Sequence, residues 1–306
     1  MTLQGIPAYE RGRLPRSQIA QGFGFAPAAR TGRPMGAVTR RRFLAGLGAA
    51  LVVSQAGCGG NQGSARLASE RAGQPSEAVR ERIWYVDIEH ERVLANDPRS
   101  LDHFATRNHR AVLLGEIAGV DCEPIHYLEV SQTLASERNV RAIVLSGNVT
   151  DWEEYDFATF QSLSELIKRT SIPVLGVCGG CQLIAFLYGG RCGPMRRLEP
   201  GEEDPGRFAP GWFKELDYQP VRVVEQDPLF DGLGPEPVFF ESHYWQITRL
   251  PRRFRLLAST DACRVQVMRH RTRLIYGTQF HPEVHTDENP DGRTLLANFF
   301  RLAGIG

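Results

Sequence analysis

The chain has 306 residues, 42% of them apolar, and its 36 basic and 35 acidic side chains leave a formal charge of +1. That length can bury a full-size core and suits one domain preceded by a leader. Charge is unevenly spread: residues 1–58 carry eight arginines, no lysine and one acid, Glu10, whereas 59–306 hold 28 basic and 34 acidic residues, a balance of −6. An acidic folded part excludes nucleic acid as an expected partner.

Phe43 to Val53 is apolar throughout, but its eleven residues fall short of the roughly 20 needed to span a bilayer, so it reads as the core of a signal peptide. Immediately before it, Thr39-Arg40-Arg41-Arg42-Phe43-Leu44 resembles the twin-arginine export motif. Met35 offers a second start for a leader of ordinary length. Ser54-Gln55-Ala56-Gly57-Cys58 resembles a lipoprotein cleavage site, with Gln55 where such sites favour leucine, and lipidation of Cys58 is left open. A lipid there would be the one link to a membrane. The expectation is export by the twin-arginine route to the periplasm or cell envelope. Residues 59–80, rich in Gly, Ser, Ala, Gln and charge, follow as a flexible linker.

The folded domain is expected over 81–306. Ile83 to Ile88 is β-branched and aromatic and predicts a strand, followed by a helix from about Pro98 to Ala118 and a second strand over Pro124 to Val130. Val140 to Leu145 is an apolar strand that stops at Ser146-Gly147-Asn148, and apolar strands of this kind are buried on both faces. Helical spacing of Phe157, Phe160, Leu163, Leu166 and Ile167 then leads through Pro173 into the strand Val174 to Val177. Alternating strands and helices predict an α/β fold, an open, mostly parallel sheet flanked by helices. After a helix over Cys181 to Tyr188 come short strands at Gln219 to Val224, Pro237 to Phe240, Arg255 to Ala258 and Leu274 to Gly277, and a final helix from Arg293 to Leu302.

Cys178 stands in Gly176-Val177-Cys178-Gly179-Gly180 between that strand and helix, the setting of a nucleophile elbow whose glycines expose the side chain at the sheet edge. The positive end of the following helix favours a thiolate, and the Gly179 amide can face a developing oxyanion. Downstream, Gln279-Phe280-His281-Pro282-Glu283 supplies a base and a carboxylate to orient it, so Cys178, His281 and Glu283 form a nucleophile, base and orienter. Two other readings stay beside this one: a thiol pair, since Cys178 and Cys181 are three apart, and a metal site at Glu283 and His285. No metal or other cofactor is expected. Cys122, Cys178, Cys181, Cys192 and Cys263 are an odd set, which leaves at least one free thiol and room for two disulfides in an oxidising compartment.

These residues resemble the class I glutamine amidotransferases, which hydrolyse a γ-carboxamide with a Cys-His-Glu triad. The resemblance covers Ile83 to Leu302 and rests on the elbow through Gln182, the strand end Leu145 to Asn148, Asp227-Pro228-Leu229-Phe230-Asp231-Gly232-Leu233, Glu241-Ser242-His243-Tyr244-Trp245, and Gln279 to Val284. It implies a flavodoxin-like fold, a γ-glutamyl thioester on Cys178, and oxyanion donors at Gly179 and Gly147. It also implies that Asn148, Gln182, Ser242, His243 and Tyr244 bind the glutamyl group. The sequence departs from the family pattern at Cys181 and at Asn148-Val149-Thr150, in place of a loop rich in Gly and Pro. No synthetase domain follows Glu283 before Gly306. An exported domain of this kind is expected to hydrolyse glutamine or another γ-glutamyl amide on its own. The alternatives are a glutaminase subunit that delivers ammonia to a separate synthetase, and a non-catalytic binding protein on the same fold.

Overall fold

The computed structural model describes residues 80–96 and 100–305. The leader read in 1–58, with its arginine motif and Cys58, and the linker of 59–80 up to residue 79 lie outside the described residues. In chain order the elements are β1 (Arg82–Asp87), α1 (Glu91–Asn96), α2 (Ser100–Ala118), β2 (Asp121–His126), α3 (Gln132–Glu137), β3 (Val140–Leu145), α4 (Gln161–Arg169), β4 (Val174–Val177) and α5 (Gly179–Leu187). Then come β5 (Arg191–Pro194), β6 (Glu215–Pro220), β7 (Arg222–Val223), β8 (Val238–His243), β9 (Trp245–Arg249), β10 (Phe254–Ser259), β11 (Val267–His270), β12 (Ile275–Thr278) and α6 (Asp291–Leu302).

Eight strands form the central sheet in the order β2-β1-β3-β4-β12-β11-β10-β7. Neighbours from β2 to β12 run parallel, and β11, β10 and β7 continue the sheet antiparallel. The expected mostly parallel α/β sheet is therefore the observed one. Successive β1 side chains serve opposite faces, as the two-residue period of a strand requires. Trp84 and Val86 pack with Phe160, Leu163 and Ile184, while Ile83 and Tyr85 pack with Leu114, Leu175 and Phe299. Helices α4 and α5 thus close one core, and α2 and α6 the other.

Differences from expectation have local causes. The second strand runs Asp121–His126 and keeps Pro124 at a sheet edge, where a missing N–H breaks no ladder on the open side. Past it the chain turns, and the Ser131 hydroxyl accepts from the Leu134 amide to cap α3, a helix the sequence pattern did not signal. The segment around Gln219 splits at Pro220: β6 pairs with β8 outside the central sheet, and β7 joins its far edge. With the β5–β9 ribbon, β6–β8 covers the site end of the molecule.

Strand register positions that end. Leu145 and Gly277 lie opposite Gly176, and Thr278 lies opposite Val177, so β3, β4 and β12 finish side by side. Their following loops, carrying Gly147, Cys178 and His281, collect at the carboxyl edge of the sheet, where open α/β sheets place ligands.

Candidate active site

The elbow is tightly built. Cys178 caps α5 with φ +50° and ψ −107°, a backbone setting that a side chain adopts at a cost of about 1–3 kcal/mol. A methyl group on Gly176 would stand 2.5 Å from the Gly180 carbonyl oxygen, and one on Gly180 would stand 2.7 Å from Leu145 Cβ. The flanking glycines are thus packing requirements as well as exposure devices. Gly176→Ala is expected to destabilise the fold by about 1–3 kcal/mol through overpacking. Urea denaturation measures this, and an unchanged midpoint would contradict the close approach of β4 to α5.

The Cys178 amide donates to Thr278 O at 2.7 Å, tying the elbow to the end of β12. Three residues beyond Thr278, the His281 amide donates to Phe240 O at 2.8 Å, which pins the base to β8. His281 Nδ1 and Glu283 Oε1 are 2.8 Å apart, leaving the other ring nitrogen for the hydrogen bond to Cys178. Burial opposes charge on His281, yet the Glu283 carboxylate and Cys178 outweigh it and hold the imidazole well above its ordinary pKa. Burial likewise pushes Glu283 up, but His281 and then Arg110 overcome it and hold the carboxyl below its ordinary value. Arg110, from α2, also donates to the Glu283 carbonyl. The three residues read from sequence as a triad are assembled in space.

Gly147 borders the same point: a methyl group there would lie 3.2 Å from His281 Cε1 and 4.0 Å from Cys178 Sγ. A cavity of about 220 Å³ opens over the triad, with Gly147, Asn148 and Ser242 in its lining and Asp87, Glu89, His103 and Arg107 on another wall. A wider depression of about 570 Å³, lined by Glu225, Arg255, Arg269 and Arg271, lies along β10 and β11 and contains neither nucleophile nor base. At the departing loop, Val149 N–H donates to Glu89 Oε2 at 2.6 Å and Thr150 to Glu89 Oε1 at 2.5 Å. Glu89 is buried, so Asn148-Val149-Thr150 is braced by a carboxylate in place of the glycine and proline of the family loop. Asn148 leans over Gly179, where any side chain would overlap it.

Other expected binding residues sit behind the cavity. Gln182 is 2% exposed, accepts from Trp152 Nε1 at 2.6 Å, and donates to Trp245 O and Gln279 Oε1 at 3.0 Å. Gln279 Nε2 in turn donates to Cys178 Sγ at 3.7 Å. Gln182 is therefore occupied by the protein, and the amide that touches the thiol is Gln279, a residue the sequence offered inside the terminal motif without a role. His243 is buried between Glu215 and Glu241. Burial disfavours its charge, but the two carboxylates prevail and push the imidazole up to about 10. Tyr244 donates its hydroxyl to Asp151 at the surface.

All five cysteines among the described residues are free. Cys181 is fully buried, with its sulfur close against Gly277, and burial pushes its thiol well above the ordinary range. Such a thiol is a poor partner for exchange, which removes the thiol-pair alternative and the two disulfides allowed by the cysteine count.

A profile described as "Glutamine amidotransferase class-I" matches residues 106–303, most of the described domain. The chain belongs to the class I glutamine amidotransferases. This amidotransferase is 39% identical over 142 residues to the glutamine-hydrolyzing subunit of GMP synthase from Methanococcoides burtonii, covering 46% of this chain and 65% of that protein. It is 30% identical over 202 residues to the corresponding protein of Methanocaldococcus jannaschii, covering 66% of this chain and 93% of the relative. Among solved structures it resembles a protein from Thermoplasma acidophilum described as a subunit of GMP synthase, with TM-score 0.56 and 26% identity, over 74% of this chain and 94% of that one.

These relatives overturn the expected export to the periplasm or envelope. Each is the glutamine-hydrolyzing subunit of a GMP synthase, whereas the export reading called for a hydrolase working alone at the cell surface.

Proposed function

We propose that this amidotransferase domain hydrolyses glutamine at Cys178 and delivers the ammonia to a separate synthetase protein. The observation that carries this is the assembled triad, with the Cys178 elbow and the 2.8 Å His281–Glu283 pair opening together onto one small cavity. The names of the relatives support the synthetase-linked alternative over a γ-glutamyl hydrolase working alone. A non-catalytic scaffold would have no use for a strained cysteine facing a buried, carboxylate-oriented imidazole.

In this reaction Cys178 Sγ attacks the side-chain carbonyl carbon of glutamine, and the new oxyanion is held by amides at Gly179 and Gly147. His281 passes a proton to the departing nitrogen as the C–N bond breaks, and Glu283 stabilises the imidazolium throughout. Ammonia leaves a γ-glutamyl thioester. Water, deprotonated by His281, cleaves it to glutamate and restores the thiol. Asn148 and Ser242 at the cavity wall, with the Tyr244 backbone beside them, hold the glutamyl amino and carboxylate groups. Gln182 and His243 act behind them as braces.

The purified chain treated with a glutamine-analogue chloroketone should be labelled stoichiometrically at Cys178. Ammonia release should be faster from glutamine than from γ-glutamyl peptides, and should rise when a GMP-forming synthetase protein is added. Absence of labelling would refute the catalytic assignment, and preference for γ-glutamyl peptides would refute the synthetase link.

A further inference from the structure

Behind the cavity wall, β6, β8 and the loop between β10 and β11 bring together Glu215, Glu241, His243 and Cys263, all buried. One donor atom from each of Glu215, His243 and Cys263 lies within 4.8 Å of the others. His243 Nδ1 faces Trp245 O at 2.9 Å, and because a carbonyl oxygen only accepts, this nitrogen carries hydrogen. The other nitrogen, Nε2, stands 3.1 Å from Glu215 Oε2 and 3.1 Å from Glu241 Oε2. Ionised carboxylates also only accept, so the three groups require a positive species among them.

A proton on Nε2 meets that need poorly. Despite those separations Nε2 has no directed hydrogen-bond partner, and neither do the two oxygens of Glu241, which is 0% exposed. Separations near 3 Å between imidazole nitrogen and carboxylate oxygen are also those of two ligands on one tetrahedral ion, given metal–ligand bonds of about 2.0–2.2 Å. Imidazole, thiolate and carboxylate together are a zinc donor set. Outer hydrogen bonds of the kind that orient metal ligands are in place. Thr260 and Gln266 donate to the two oxygens of Glu215, and His243 is fixed by the Trp245 carbonyl.

We propose that Glu215, His243 and Cys263 bind a structural zinc ion, with Glu241 as the fourth donor, fastening the β6–β8 ribbon to the loop before β11. On binding, metal–sulfur, metal–nitrogen and metal–oxygen bonds form, the Cys263 thiol proton and any proton on Nε2 pass to solvent, and nothing is oxidised or reduced. Four buried protein donors close the site, so the ion braces the wall that presents Ser242 and takes no part in glutamine hydrolysis. The proposal stands apart from the catalytic one, since its ligands lie outside the triad.

The full chain, loaded with zinc and desalted, should retain an equimolar amount by elemental analysis, and a chelator should lower its thermal midpoint. Cobalt in place of zinc should give a thiolate-to-metal charge-transfer band that is lost in Cys263→Ser and kept in Cys192→Ser. His243→Ala should lose metal too. If that variant does not fold, the near-isosteric Cys263→Ser still decides. Failure of the wild-type chain to retain zinc, absence of the cobalt band, or its survival in Cys263→Ser would overturn the site.

Discussion

Cys178→Ala should abolish glutamine-dependent ammonia release, lowering turnover by roughly 10⁴- to 10⁶-fold, the scale seen when an activated nucleophile is removed from a triad. Nothing else in the cavity can replace it: Cys181 is buried and its thiol is held well above the ordinary range. The fold should survive, because the alanine keeps the Cβ and loses a sulfur whose main neighbours are His281 and Gln279. A companion measurement separates strain from chemistry. At φ +50° and ψ −107° glycine is at ease where a side chain is not, so Cys178→Gly should be more stable than Cys178→Ala by about 1 kcal/mol while equally inactive. Ammonia assays and urea denaturation of the two variants provide both readouts. Residual turnover within tenfold of wild type in either would refute the nucleophile.

His281→Ala should lower turnover by roughly 10²- to 10⁴-fold with little change in substrate binding, because the imidazole transfers protons and does not grip the glutamyl group. Glu283→Gln tests why the imidazole works where it does. The Glu283 carboxylate helps hold His281 well above its ordinary 6.5, so its removal should move the alkaline limb of the pH–rate profile to lower pH. Stability follows the same signs. His281, raised in the fold, contributes stability that is complete below 6.5 and is lost as pH rises through its folded value. Glu283, depressed in the fold, contributes above its ordinary 4.5, and that contribution is lost as pH falls through its folded value. Glu283→Gln should therefore flatten both edges of the stability profile. An alkaline limb that stays in place would show that Glu283 does not set the imidazole.

Much of this site was legible in one dimension, for a physical reason. The elbow needs glycines at Gly176, Gly179 and Gly180 because backbone and side chains crowd each of them. His281 and Glu283 are two residues apart, and their hydrogen bond is local. What escaped was long-range. Gln182 and Gln279 meet across 97 residues, Glu89 reaches Val149 across 60, and Glu215 shares His243 with Glu241 only because β6 pairs with β8 outside the main sheet. No spacing rule links such positions. A hint existed in Asp87-Ile88-Glu89, where an apolar strand ends in acids that prove fully buried. Export was misjudged because a short arginine-rich stretch outside the described domain was allowed to choose among functions for it.

By itself, then, the sequence determined the strand and helix alternation, the parallel sheet and the three members of the triad, since each depends on local periodicity, turn chemistry or short spacing. Tertiary structure decided the rest. It brought β3, β4 and β12 to one edge, turned Gln182 inward to hold Gln279, and made His243 a buried partner of two carboxylates. A side chain's duty depends on which distant groups desolvate it and satisfy its hydrogen bonds, and those neighbours are chosen only when the sheet and its covering ribbons close.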